Sequence, residues 1–149
     1  MSFGLRVGLW VFLAGSVSVA YAECAPGGKL LFACTTMNAK HIELCDDAKT
    51  LGYAFGATLD KPEMALRVPR EQASTWQWQG VGRDESYTVD VPNGNTTYSV
   101  FWSRDRMMEN SVPEAGVYVL VKQKLTATVK CRPESVQSHL QGVDLKPTP

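Results

Sequence analysis

The stretch Ser86 to Trp102, SYTVDVPNGNTTYSVFW, constrains the fold of this chain more than any other. Asn93-Gly94 is the dipeptide a type I′ turn prefers, because both central residues of that turn need positive φ. With this pair at the tip, Val91 opposes Thr96, Val89 opposes Tyr98 and Tyr87 opposes Val100. Those pairs form one largely apolar face, and the opposite face pairs Asp90 with Thr97 and Thr88 with Ser99. Side chains alternate across a strand, so turn and pattern together predict a half-buried hairpin. Its inward face is expected to carry Tyr87, Val89, Val91, Tyr98, Val100 and Trp102.

The rest of the chain reads the same way. KLLFACTT and KHIELC predict two strands around Asn38 and Ala39, TLGYAFG and EMALRV two more, and STWQWQ a fifth. GVYVLV and LTATVKC predict a further hairpin. A three-residue loop, Lys122 to Lys124, would oppose Val121 to Leu125 and Val117 to Val129 and keep its apolar face whole. Period-two alternation bounded by Gly, Pro and Asp is the strand signal. No segment carries the ten-residue helical period of a βαβ unit. The expected class is all-β: an antiparallel sandwich or small barrel of about eight strands. After Cys131, RPESVQSHLQG suggests a helical turn or two with Val136, Leu140 and Val143 on one face. VDLKPTP reads as a loose end.

The first 22 residues read as a signal peptide rather than as fold. Arg6 precedes the apolar run VGLWVFLAGSVSVA, and Ala20 and Ala22 stand at the small-residue positions before a cut. The expected division is therefore 1–22 signal peptide, 23–132 β-domain and 133–149 C-terminal tail, with no membrane span once the signal is removed. All four cysteines, Cys24, Cys34, Cys45 and Cys131, follow the cut. An even count in an exported chain predicts two disulfides. Cys34 and Cys45 flank the turn MNAK, which favours Cys34–Cys45 with Cys24–Cys131. Cys34–Cys131 with Cys24–Cys45 stays open.

Charge narrows the function. The segment before the cut holds one Arg and no acid, so the remainder carries one more acidic than basic residue. A nucleic-acid partner would need a basic excess on one face, so none is expected. No nucleophile motif or zinc spacing occurs, and His41 and His139 sit in a strand and in the tail. The acid pairs Asp46-Asp47 and Asp84-Glu85 read as solvated strand ends rather than a glycosidase dyad, and CDD lacks calcium-loop spacing. No enzyme, metal or other cofactor is expected. Asn95 to Thr97 fits an N-glycosylation triplet that the hairpin turn already explains.

Two features could bind a ligand. Trp76 and Trp78 would share one face of a strand, either as core or as a stacking surface, and the buried arrangement is preferred. Beside them GVGRDE lets Gly80 and Gly82 project Arg83, with Asp84 and Ser86 following, toward a partner. Alternatively, Arg83 pairs locally with Asp84 or Glu85 in a flexible surface turn. Ser103 to Gly116 is the longest loop and mixes Arg104, Arg106, Asp105 and Glu109 with Met107 and Met108.

Taken together, GKLLFACTT…KHIELC, LGYAFG…PEMALRVP and VPNGNTTYSVFWSRDR resemble a group of small exported bacterial β-proteins that carries no known activity. The layout is more distantly similar to the periplasmic and membrane-bound inhibitors of C-type lysozyme. Their hallmark is an S-G-x-x-Y loop inserted into the lysozyme cleft. The nearest counterpart here is GRDESY, with Ser86 directly before Tyr87 and without the Ser-Gly pair. The resemblance implies a periplasmic or secreted binding protein with a lysozyme-like partner. The alternatives are a glycan-binding module using Trp76 and Trp78, and a structural envelope protein.

Overall fold

The computed structural model describes residues 24–149. The signal-peptide reading of residues 1–22 lies outside the described residues. Eleven strands follow in order: β1 (Lys29–Thr35), β2 (His41–Asp46), β3 (Thr50–Gly56), β4 (Met64–Pro69), β5 (Ser74–Gln77), β6 (Asp84–Asn93), β7 (Thr96–Asp105), β8 (Glu114–Val121), β9 (Lys124–Lys130), β10 (Gln137–Ser138) and β11 (Lys146–Pro147). They form two sheets, β10-β1-β2-β3-β4 and β11-β5-β6-β7-β8-β9. Every pairing is antiparallel except that of β11 with β5. The architecture is an all-β sandwich and not a closed barrel. No helix among the described residues is long and apolar enough to cross a membrane.

The inner faces meet in one core. Phe32, Leu44 and Leu51 from the first sheet pack with Val89, Val91 and Val100 from the second, all fully buried. Each such side chain contributes roughly 1.5–3 kcal/mol, as an upper estimate. Every one stands at an alternating position on the inner face of its strand, while Leu31 and Phe101 are buried on other faces of β1 and β7.

The β6–β7 hairpin keeps the expected inward face with a different tip. Val91 pairs with Tyr98, Val89 with Val100 and Tyr87 with Trp102. The two central turn residues are therefore Gly94 and Asn95, and of these only Gly94 has positive φ, +59°. Glycine at the first central position is the II′ arrangement rather than the I′ turn. The register differs by two residues, which leaves every side chain on its expected face. In the β8–β9 hairpin the loop is Lys122-Gln123, both at positive φ, not Lys122 to Lys124. Val121 pairs with Lys124 and Leu120 with Leu125. An irregularity after Val119 absorbs one residue and restores the Val117–Val129 pair.

Both disulfides form, in the other pairing: Cys24–Cys45 and Cys34–Cys131. The preferred pairing fails on register. Cys34 stands opposite Ile42 and Cys45 opposite Leu30. They lie about three rungs apart, roughly 10 Å along the strand direction. A disulfide joins Cα atoms closer than about 7 Å. The actual bridges span 5.7 and 5.9 Å between Cα atoms.

The segment after Cys131 is packed. It makes a 3₁₀ turn at Pro133–Ser135, pairs with β1 through β10 and with β5 through β11, and so joins the edges of the two sheets. Leu140 is wholly buried, and Val136, Val143 and Leu145 lie against the core. Arg70, at the start of the 3₁₀ turn after β4, ties it to β2, donating to both carboxylate oxygens of Asp46 and to the Asp144 carbonyl at 3.0 Å.

Candidate functional site

At one end of the second sheet two loops come together. Their meeting follows from the hairpin register. Asp84 pairs with Asp105 as the last rung of β6–β7, and the Arg106 amide donates to the Arg83 carbonyl at 2.9 Å beyond it. The Gln79–Arg83 loop and the Arg106–Pro113 loop therefore start side by side.

Four of the eight large apolar side chains that stand exposed among the described residues lie on these loops: Val81, Met107, Met108 and Val112. Val81 is 82 % exposed and Met107 75 %. Contiguous exposed apolar patches are associated with interaction surfaces, whereas scattered apolar residues need no explanation.

Beneath the tip the loops are fastened. Gly80 and Gly82 take φ of +82° and +96°, which permits the tight path that a side chain would strain. The Trp78 indole donates to the Val81 carbonyl at 2.9 Å, and the Arg106 guanidinium lies 4.4 Å from the centre of the Trp78 ring. Such cation–π contacts contribute about 0.5–1 kcal/mol at exposed sites. Arg83 donates through Nε to Asp105 at 2.7 Å, not to Asp84 or Glu85. That hydrogen bond, then burial working against it, set the Asp105 carboxyl below its usual range. The Arg83 side chain is still 61 % exposed.

Of the residues singled out from sequence, Arg83, Asp84 and Trp78 belong to this end. Ser86 and Trp76 do not. Ser86 stands opposite Ser103 on the outer face of the second sheet. Trp76 pairs with Thr88 on that same outer face, 48 % exposed, and the preference for a buried Trp76 is corrected. β5 ends at Gln77, so Trp78 leaves the strand and packs against the core while Trp76 faces out. The two indoles do not share a face, because the alternation that would align them stops between them.

Two glutamates stand where the sequence reading did not put them: Glu85, expected as a solvated strand end, is buried, and Glu43 was not singled out. Glu85 is in phase with Tyr87, Val89 and Val91, so it points inward at the mouth of the sandwich, 9 % exposed. Tyr87 donates to its Oε1 at 2.9 Å and Arg104 to its Oε2 at 2.7 Å. Burial pushes this carboxyl up, but the bonds from Arg104 and Tyr87 outweigh it and the net pKa is lowered. Glu43 lies on the outer face of the first sheet, in a row with Ala33, Ala54 and Ala65. Its Oε2 is buried without a hydrogen-bond partner among the described residues, and burial raises its pKa. An acid in phase with an apolar strand face was the available signal for Glu85. The acid pair Asp46-Asp47 is absorbed by structure: Asp46 holds Arg70, while Asp47 accepts from the Thr50 amide at 2.7 Å and pairs with Arg67.

No family model, curated protein or solved structure matches this chain.

Proposed function

We propose that this chain is an exported, non-enzymatic binding protein of the cell envelope that engages a protein partner through its two-loop end. The observation that carries this reading is the apolar cluster of Val81, Met107, Met108 and Val112 on two fastened loops. Loops held in place before contact lose little entropy on binding. The two disulfides support an oxidising compartment and hence export to the periplasm or beyond. Asp46, Asp47, Glu85 and Asp105 are all committed to ion pairs, which supports binding rather than acid–base catalysis.

A lysozyme-like enzyme is the first partner to test. Arg83, held to Asp105 through Nε and Nη2, would offer the exposed remainder of its guanidinium to an acidic cleft while Val81 fills an apolar subsite. The test is titration of a C-type lysozyme with the oxidised protein. The expected result is inhibition at micromolar concentration or below, weakened at least about tenfold by Val81→Asp, since burying an unpaired charge at an interface is costly. The melting temperature should not change. Absence of inhibition well above micromolar concentration removes lysozyme as the partner. Retention of every envelope partner by Val81→Asp removes the two-loop end. A paired-tryptophan glycan platform is not favoured, since Trp76 and Trp78 face apart.

A further inference from the structure

We infer that the mouth of the sandwich around Glu85 is a binding pocket for an uncharged sugar ring. The inference does not rest on the two-loop reading. The pocket measures about 330 Å³ and is lined by Glu85, Tyr87 and Trp102 from the second sheet, Pro113, and Ser138 and Gln141 among the residues of the C-terminal segment. That volume lies at the small end of the range for ligand pockets, about 300–1,000 Å³, and suits one ring rather than a chain.

The lining sets the chemistry. The half-buried Trp102 ring, backed by the buried Tyr87 ring 6.0 Å away at a tilt of 31°, offers with Pro113 an apolar surface. The electron-rich faces of aromatic rings attract C–H groups, as on one side of a pyranose. Opposite chemistry comes from Glu85, Ser138 and Gln141: a carboxylate that accepts, a hydroxyl that does either, and an amide that does both. Glu85 receives one hydrogen bond on each oxygen and keeps about two of its roughly four lone-pair sites. Its charge is matched by Arg104, whose guanidinium also lies 5.9 Å from the Trp102 ring. A cationic ligand would meet Arg104, and an anionic one Glu85. A neutral polyol with one apolar face meets neither penalty.

The pocket is built rather than incidental. Gln77 donates to the Leu140 carbonyl and accepts from the Gly142 amide, both at 2.8 Å, and so clamps Gln141 from either side. Ser138 is fixed by the rung between β10 and Phe32.

The test is a ¹H–¹⁵N titration of the oxidised protein with glucose, galactose, mannose and N-acetylglucosamine to millimolar concentration. The expected result is saturable shifts at the Trp102 indole N–H and the Gln141 amide with at least one of them. Gln141→Ala and Ser138→Ala should each weaken binding roughly three- to tenfold, the worth of one hydrogen bond. Val81→Asp should leave it unchanged, which separates this site from the two-loop end. No saturable shift with any of the four sugars overturns the inference. So do shifts centred on Trp76, or unaltered affinity in both pocket variants.

Discussion

Glu43, on the outer face of the first sheet, and Glu85, on the inner face of the second, both lie partly buried near a terminal segment and meet opposite fates. Each lies in a hollow between a sheet and a terminal segment pinned by a disulfide. Beside Glu43 the segment is the N-terminal one, Cys24 is bridged to Cys45, and Ala25, Gly52, Ala54 and Ala65 line a hollow of about 240 Å³. Beside Glu85 it is the C-terminal one, held by Cys34–Cys131. Glu85 has two donors and a lowered pKa; one oxygen of Glu43 has none among the described residues, and its pKa is raised. Partial burial alone thus says little about a carboxylate. What decides is whether cross-strand neighbours are long donors, as Arg104 is for Glu85, or small apolar residues, as Ala33 and Ala54 are for Glu43.

The largest expected effect separates the two pins. Cys34→Ala with Cys131→Ala opens a loop with a sequence separation of 97, against 21 for Cys24→Ala with Cys45→Ala. In the chain-entropy model the costs are about 4–5 and about 3 kcal/mol. The first pair should also loosen the Ser138–Gln141 wall of the Glu85 pocket. Urea unfolding of both variants checks the order, and a larger loss from the N-terminal pair would reverse the assignment of roles.

Next comes the donor itself. Arg104→Met keeps an apolar stem near Trp102 and removes the charge. Glu85 is then left with Tyr87 as its hydrogen-bond donor and Arg106 as a nearby positive charge, at an expected cost of about 1–3 kcal/mol, toward the low end because Arg104 is half exposed. Burial should dominate and the Glu85 pKa should rise above its ordinary value, a change that carboxyl NMR titration would follow. An unmoved Glu85 would mean that Tyr87 and Arg106 suffice.

The pH dependence should carry opposite signs. A carboxyl lowered by folding contributes stability above its unfolded pKa, and that contribution is lost as pH falls through the folded value. Glu85→Gln should therefore destabilise at neutral pH and converge with wild type in acid. A carboxyl raised by folding does the reverse. Its unfavourable contribution is absent below the unfolded pKa and grows as pH rises through the raised folded value. Melting temperatures across the acid range would show two difference curves of opposite sign. Curves of the same sign would undo the comparison.

Most strands were legible because alternation survives errors of register. The β6–β7 tip was misplaced, yet a slip of two residues left Val89, Val91 and Val100 facing inward. Whatever depended on register itself was lost. The cysteines could not be paired without the rung that sets Cys45 opposite Leu30. Trp76 could not be turned outward without the β5–β6 rung at Thr88, across a connection whose geometry no turn motif specifies. The two-loop end was legible only in part: Arg83, Met107 and Met108 stood out, but their adjacency comes from the Asp84–Asp105 rung. Glu85 and Arg104 were readable by phase alone, as charged residues continuing the inward face of two apolar strands.

The smallest effect tests the other glutamate. Glu43→Met replaces a side chain of similar length and removes the unpartnered oxygen. At neutral pH it should stabilise by a few tenths of a kcal/mol, at most about 1, because Glu43 is only partly buried. Glu43→Gln should gain less: it removes the charge but leaves a polar atom between Ala33 and Ala54. Both gains should shrink in acid, where wild-type Glu43 takes up its proton and the charge is gone from all three proteins. Arg67 bears on this outcome, since it lines the same hollow but is engaged by Asp47. If Glu43→Met destabilises at neutral pH, then Glu43 is served by a donor such as Arg67 or an ordered water, and the two hollows are alike. If it stabilises, and the gain disappears below the ordinary carboxylate range, the difference between the hollows is the presence of Arg104 and Tyr87 in one of them.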